Sequence, residues 1–222
     1  MLNPRKKITR HEIKEDPLVT YYVKTRKFLS KHQKVISYGL MAVLGIVLIV
    51  FFMQNSKKRS EQQAADSMSI PEQFVYFNDA DRAIPDLEKI ISTYSGTKAA
   101  GRAVYLVANT YYEKGEYDKA KTEFSDYINE YGDNALFAPS SYAGVAACYE
   151  QEGNFLEAAN YYEKSAKKYP ADYAVPYHLY SAARCFEKAN EPEKSKALIE
   201  QIVDKYPESG IFNDAKLLEC LL

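Results

Sequence analysis

The 222-residue chain contains no tryptophan, three cysteines and three histidines. The histidines are His11, His32 and His178, and no two of them have the spacing of metal ligands. The chain also lacks a glycine-rich phosphate loop, a nucleophile elbow and a paired-carboxylate motif. We therefore predict a protein that is not an enzyme, with no catalytic residues, no metal site and no cofactor.

Charge is unevenly distributed along the chain, although the net charge is only -1. Residues 1–34 contain ten Lys or Arg and three acidic residues, whereas residues 61–222 contain 16 basic and 27 acidic residues. Binding to nucleic-acid phosphates requires a basic surface, and the long second part of the chain is acidic. We expect no nucleic-acid partner.

The 22 residues between Lys34 and Lys57 carry no formal charge, and their first part reads VISYGLMAVLGIVLIVFFM. At about 1.5 Å per residue they would span roughly 33 Å as a helix, close to the hydrocarbon thickness of a bilayer. We predict a single transmembrane helix in contact with the lipid bilayer over residues 35–55, then a linker or helical extension over 56–69. A buried core helix is rarely apolar on every side with lysines at both ends. A cleaved signal peptide fits badly, because the run begins late, is long and has no small-x-small pattern after it.

The cations that flank this run predict its orientation. Ten basic residues precede it, whereas three, Lys57 to Arg59, follow it closely. Since the more basic flank stays in the cytoplasm, we expect a cytoplasmic N-terminus and the rest of the chain across the membrane. In a bacterium with two membranes, this describes a single-pass inner (plasma) membrane protein with a periplasmic domain.

Residues 1–34 form a basic cytoplasmic arm. Asp16-Pro17 supplies an N-cap and a first-turn proline, and apolar residues then recur at spacings of three and four. This pattern predicts an amphipathic helix, with residues 1–15 as a flexible tail. Its apolar face comprises Leu18, Tyr21, Tyr22, Thr25, Phe28 and Leu29, and its cations are Lys24, Arg26, Lys27, Lys31 and Lys34. Association with the inner leaflet and binding of a cytoplasmic partner are both open interpretations.

Three later segments superimpose on one another: residues 101–132, 139–170 and 176–207, whose starts are 38 and 37 residues apart. The shared positions are a small residue (Ala108, Ala146, Ala183), an aromatic residue (Tyr111, Tyr149, Phe186), a turn residue (Gly115, Gly153, Asn190), a second small residue (Ala120, Ala158, Ser195) and a large apolar residue (Phe124, Tyr162, Ile199). Small residues let two helices approach closely, aromatics fill the space beside them, and Gly or Asn permits a tight turn. The pattern resembles the tetratricopeptide repeat, with longer links than the usual period of about 34 residues allows. This resemblance implies an all-α, tetratricopeptide-type solenoid of helical hairpins, preceded here by the single transmembrane helix.

Further helical units flank the three clear repeats. Ala83, Leu87 and Ile90 each stand 37 residues before an equivalent position of the first repeat, which indicates a degenerate repeat over residues 64–96. Its first helix is expected over roughly 64–78, with an interruption at Ile70-Pro71. A capping helix is predicted over residues 210–222, so the repeat domain as a whole covers 70–222. The face of that helix comprises Ile211, Phe212, Ala215, Leu218 and Leu222.

The cysteines do not indicate a disulfide framework. Cys148 and Cys185 occupy equivalent repeat positions, and neighbouring first helices lie about 8 to 10 Å apart, beyond the ~7 Å Cα limit for a disulfide. We expect both to be buried free thiols. Cys220 completes an odd count and is open to oxidation or to pairing between molecules.

The repeat resemblance also implies a binding groove. In tetratricopeptide repeats the inner face of the first helices binds peptides or partner helices, and Tyr with Arg suits such contacts. The register places the predicted groove at Arg102, Tyr105, Asn109, Tyr112, Tyr177, Tyr180 and Arg184, with Ala143, Ala147, Glu150 and Lys188 on the same face. A merely solvated face is the alternative. The two-lysine carboxylate clamp of some relatives is not recognisable.

The order of basic arm, single anchor helix and extracytoplasmic repeats resembles the YfgM-like family of ancillary translocon subunits. Glu15-Asp16, Phe28-Leu29 and the SEQQAA stretch over 60–65 contribute to the likeness. The resemblance implies a scaffold beside the protein-export channel that passes emerging polypeptides to periplasmic chaperones. The alternative is a structural or accessory subunit of another bacterial envelope complex.

Overall fold

A computed structural model describes residues 17–220, and the regular structure within that range is helical. The helices are α1 (Pro17–Lys31), α2 (Gln33–Ser67), α3 (Ser69–Tyr76), α4 (Ala80–Thr93), α5 (Lys98–Glu113), α6 (Tyr117–Tyr131), α7 (Ala138–Gln151), α8 (Phe155–Lys168), α9 (Val175–Lys188), α10 (Pro192–Lys205) and α11 (Phe212–Glu219). The chain divides into two compact units, Met1–Ser56 and Lys57–Leu222. The predicted tail over 1–15, the Asp16 N-cap and the last residue of the capping face lie outside the described residues.

The first unit contains α1 and the whole apolar run of α2. The helix expected after Asp16-Pro17 is α1, and its apolar side chains are exposed, with Leu18 and Tyr21 more than three-quarters so. Among the described residues, one helical segment, Gln33–Tyr76, is long and apolar enough to cross a membrane. The mean hydropathy of its most apolar 18-residue window is 2.7, and none of that window is buried. It is a candidate membrane span by length and composition.

The helix that contains the apolar run continues beyond the predicted span, since α2 ends at Ser67. The break between α2 and α3 lies at Met68, slightly before the expected interruption at Ile70-Pro71. Proline shifts the break towards the N-terminus, because its ring clashes with the carbonyl four residues earlier, here that of Ser67. The expected first helix of the degenerate repeat is therefore divided between the end of α2 and α3, and Ala64 and Met68 are buried in one cluster with Ala83, Leu87 and Ile90.

The second unit is built from helical hairpins, α3/α4, α5/α6, α7/α8 and α9/α10, followed by α11. Each hairpin turns at a residue in the left-handed region: Asn78 (φ 56°), Gly115 (φ 78°), Gly153 (φ 79°) and Asn190 (φ 61°). At each turn the following N–H donates to a carbonyl five residues back, as in the bond from Glu116 to Tyr111 at 2.9 Å. This is the Schellman arrangement, which favours Gly or Asn at the turn residue. The turn of the degenerate repeat therefore has the same geometry as the other three.

The core of the solenoid consists of the repeated sequence positions. The six small residues of the two helices, Ala108, Ala146, Ala183, Ala120, Ala158 and Ser195, are fully buried. The large residues that follow, Phe124, Tyr162 and Ile199, are buried as well, and so are Ala83, Leu87 and Ile90 of the degenerate repeat. At the other end, Ala215 and Leu218 of α11 are buried against the last hairpin. Each hairpin thus covers the apolar side of the next.

The three cysteines are free thiols, with Cys148 and Cys185 buried and Cys220 exposed. Burial raises the pKa of Cys148 to about 11 and that of Cys185 to about 12. Both thiols therefore stay protonated, and hence poorly nucleophilic, near neutral pH.

Candidate functional site

The candidate site is a row of side chains on α5, α7 and α9, the first helices of three successive hairpins. We call it the inner face. It comprises Arg102, Tyr105, Asn109 and Tyr112 on α5, Ala143, Ala147 and Glu150 on α7, and Tyr177, Tyr180, Arg184 and Lys188 on α9. None of these residues is buried, although the positions between them on the same helices mostly are. The face therefore reaches solvent along three neighbouring helices.

At the start of α5, Arg102 borders a cleft. Its Nε lies 3.0 Å from Oε1 of Glu72 on α3, and its side chain remains half exposed. The cleft has a volume of about 480 Å³, and Leu136 and Phe137 form part of its apolar lining. On the same cleft, the Glu61 carboxylate accepts hydrogen bonds at 3.0 and 3.1 Å from the backbone N–H of Lys98. A carboxylate at a helix N-terminus is favourable because it satisfies a free N–H there.

Tyr105 is only partly available for a partner. Its ring stacks on Phe137 at a centroid distance of 4.7 Å and meets Phe124 and Tyr127 edge-on at 6.0 and 6.2 Å. Sequence reasoning did not identify Phe137, which lies in the link between α6 and α7 that lengthens the repeat. The sequence signal for this contact is the length of the link, because its extra residues allow a side chain to fold back onto α5. The Tyr105 ring is consequently in contact with three other aromatic rings of the inner face's surroundings.

The last turns of α5, α7 and α9 are joined by polar contacts. Gln151 donates its amide to the Tyr112 hydroxyl at 3.3 Å, and Glu150 Oε1 accepts from Arg184 at 3.1 Å and from Lys188 at 3.2 Å. The Glu150 side chain is 18% exposed, whereas those of its two cationic partners are 41% and 44% exposed. Burial raises the pKa of Tyr112 above its ordinary value of 10, which further favours the neutral phenol. Two predicted groove residues, Tyr112 and Arg184, are thus connected through the end of α7.

The remaining predicted residues differ in their surroundings. Tyr177 is 43% exposed, and its hydroxyl oxygen would be 2.7 Å from a Cβ placed on Gly210. Tyr180 packs partly against the core of the last hairpins. Asn109 is half-buried, and its side chain has no hydrogen-bond partner within residues 17–220. The inner face therefore combines anchored aromatic rings with polar groups that reach solvent.

Such a surface suits recognition of another polypeptide. Tyr rings offer a large amphipathic contact area, and guanidinium groups that are already held in place lose little entropy on binding. The fold is that of a helical-repeat scaffold for protein–protein interactions.

Comparisons with known proteins agree on this class. The sequence profile described as tetratricopeptide repeat-like domain matches residues 26–158, and a second tetratricopeptide repeat profile matches residues 149–215. The first match covers more than half of the chain, so the protein belongs to the tetratricopeptide repeat-like family. No curated protein matches the sequence.

Solved structures show the same fold at low sequence identity. A tetratricopeptide repeat protein from Parabacteroides merdae superimposes with a TM-score of 0.57 at 13% identity, over 67% of this chain and 56% of that chain. Residues 41 to the end of MamA from Desulfovibrio magneticus superimpose with a TM-score of 0.53 at 16% identity, over 66% of this chain and 77% of that chain.

Proposed function

We propose that the chain is a membrane-anchored, non-enzymatic scaffold that recruits proteins or peptides through the inner face of its solenoid. The observation that carries the proposal is the inner face itself, where Tyr and Arg side chains on three successive helices reach solvent above a well-packed core. Because Arg184 and Tyr112 are held by neighbouring side chains, the face is ordered before a partner arrives. Pre-ordering lowers the entropy cost of binding.

Two features support membrane anchoring. The apolar part of α2 has no buried residue in its most apolar window, so nothing within the described chain covers it. The family match begins at residue 26 and therefore includes this segment together with the first repeats. The excess of cations before the segment favours a cytoplasmic N-terminus. The repeats would then lie outside the cytoplasm, in the periplasm if the membrane is a bacterial inner membrane.

The resemblance in the order of parts to the YfgM-like family suggests the biological setting. In that setting the scaffold stands beside the protein-export channel, and the inner face hands emerging polypeptides to periplasmic chaperones. Polypeptides in transit are unfolded and expose apolar and aromatic side chains. Tyr105, Tyr112 and Tyr177 offer such segments contact area without a fixed sequence requirement.

Affinity purification from detergent-solubilised membranes tests the proposal. Wild-type protein is expected to retain export-channel or chaperone components, and Tyr177→Ala with Arg184→Ala is expected to lose them. If both residues are interface anchors, their removal weakens binding by at least about tenfold. The matched control is Tyr76→Ala, because Tyr76 is 84% exposed and lies on α3, outside the three helices that carry the inner face. Recovery of neither class of component with wild-type protein would contradict the export role.

A second candidate function is that of a structural subunit of another envelope complex. The exposed apolar face of α1 favours it, because a helix beside a candidate span can pack on a membrane partner. Replacing residues 1–56 with an unrelated arm and anchor discriminates the two functions. A scaffold that needs only tethering retains its partners after the swap, whereas an intramembrane subunit loses them.

A further inference from the structure

The junction between α1 and α2 contains a crevice of about 430 Å³. The helical path is bent at His32, but hydrogen bonds from His32 to Phe28 and from Ile36 to His32 continue across the bend. The crevice lies along one stripe of residues spaced three and four apart, from Arg26 in α1 to Leu40 in α2. Residues with this spacing lie on one side of a helix. The crevice is therefore lined by one continuous stripe that runs across the bend.

The two ends of this stripe differ in chemistry. Ile36 and Leu40 supply an apolar wall at one end, and that wall continues into the apolar run of α2. Arg26 supplies a guanidinium at the opposite end. An apolar slot that leads to a cation matches a phospholipid, whose acyl chain and phosphate differ in the same way.

The charges around the crevice favour an anionic occupant. No Asp or Glu occurs between Pro17 and Ser60, so this stretch has cations without carboxylates. Accordingly, within residues 17–220 no carboxylate pairs with Arg26. An anionic ligand would therefore meet a guanidinium that no carboxylate of residues 17–220 neutralises.

The hydrogen-bond donors identify which side chains can hold the phosphate. Ser30 donates its hydroxyl to the Lys27 carbonyl at 3.0 Å, and Ser37 donates to the Lys34 carbonyl at 2.9 Å. Both serine protons are therefore used within the helix. The Arg26 guanidinium and the Gln33 amide remain as donors in the crevice.

We propose that this crevice binds one anionic phospholipid, with the phosphate at Arg26 and Gln33 and an acyl chain along Ile36 and Leu40. The inference rests on the proposed membrane anchoring and assigns a lipid to its cytoplasmic end. The expected ligand has both a phosphate and an apolar chain. Free phosphate has no group that could contact the apolar wall.

Quenching of a single tryptophan by brominated lipid provides the test, since the natural chain has no tryptophan. Full-length Leu44→Trp places the reporter one turn beyond the crevice on the same side of α2, where it does not fill the slot. Full-length Ala42→Trp places a control reporter at a similar depth on the opposite side. Each is reconstituted in vesicles of phosphatidylglycerol and phosphatidylcholine in which one of the two lipids is dibrominated.

At Leu44→Trp, the apparent affinity obtained from quenching is expected to be about fivefold higher for brominated phosphatidylglycerol than for brominated phosphatidylcholine. One cation near anionic lipid supplies a factor of about this size. The Ala42→Trp side should show little preference. Arg26→Gln should abolish the preference at Leu44→Trp. The matched charge change Lys27→Gln should retain it, because Lys27 does not line the crevice.

Three results would overturn the assignment: equal quenching of the Leu44→Trp reporter by both lipids, the same preference at both reporters, or equal effects of Arg26→Gln and Lys27→Gln. Loss of the preference on addition of inorganic phosphate would assign the site to a free phosphate instead of a lipid. If neither reporter is quenched by either lipid, α2 does not lie in the bilayer, and the anchoring proposal fails separately.

Discussion

Gly144, in the middle of α7, provides a sharp test of how tightly the hairpins pack. A Cβ at this position would lie 2.5 Å from Cζ of Phe124, and 2.6 and 2.7 Å from two further atoms of the same ring. Phe124 is 2% exposed and meets the Tyr105 ring edge-on at 6.0 Å, so it cannot move aside freely. Gly144→Ala should therefore force α7 away from α6.

Two opposing effects determine how much Gly144→Ala changes the free energy of unfolding. Overpacking of a well-filled core costs about 1 to 3 kcal/mol, and a contact this short with a rigid ring belongs to the upper part of that range. Replacing Gly by Ala inside a helix recovers about 1 kcal/mol. We expect Gly144→Ala to lower the free energy of unfolding by about 1 to 2 kcal/mol. For a domain of this size, each kcal/mol lowers Tm by about 2 to 4 °C.

Urea denaturation of residues 57–222, followed by circular dichroism, measures this change. Asn160→Ala, at an exposed position of α8, serves as a reference because it changes helix propensity without steric conflict. A double-mutant cycle with Phe124→Leu isolates the clash, since the smaller side chain should make Gly144→Ala less costly. If Gly144→Ala stabilises the domain as an unobstructed helix position would, the packing argument is wrong.

Two further predictions concern titratable groups. Burial lowers the pKa of His178 below its ordinary value of 6.5, although Asp172 acts in the opposite direction. The unfolded chain then binds a proton more readily, so the free energy of unfolding should fall as pH decreases below about 6.5, and His178→Asn should flatten this slope in urea titrations. Cys220 should react with a maleimide in the folded protein, whereas Cys148 and Cys185 should react only after unfolding. Equal labelling of all three in native buffer would contradict the described burial.

The sequence predicts the solenoid well because each repeat encodes its own packing. Positions such as Ala146 and Ile199 recur with fixed spacing, and a recurring small or large apolar residue determines which side of each helix is buried. The hairpin turns follow in the same way, because Gly153 and Asn190 adopt the left-handed conformation that their residue types permit. These features depend on residues close together in the sequence.

The candidate site is less predictable because its contacts cross between repeats. The stack of Tyr105 on Phe137 depends on how a link folds back, and the contact between Gln151 and Tyr112 joins residues 39 positions apart. Periodicity places these side chains on a face without showing which of them pair. The break at Met68 is different in kind, because it is a local effect of Pro71, and the sequence predicts its existence but places it a few residues late.

The proposed membrane anchor lowers the affinity that the inner face needs in order to bind a partner held in the same membrane. Arg184 and Lys188 are already paired with Glu150, so an acidic partner must compete with that carboxylate, and exposed ion pairs contribute little. A single segment should therefore bind the face weakly. A partner that is held in the same membrane meets the solenoid at an effective concentration in the millimolar range, where weak binding is sufficient. Capture of a membrane partner should therefore fall by at least about a hundredfold when residues 57–222 are used without the anchor, while binding of a soluble peptide should stay the same. Equal capture by both forms, measured as the retained fraction at matched protein concentration, would show that tethering adds nothing to recruitment.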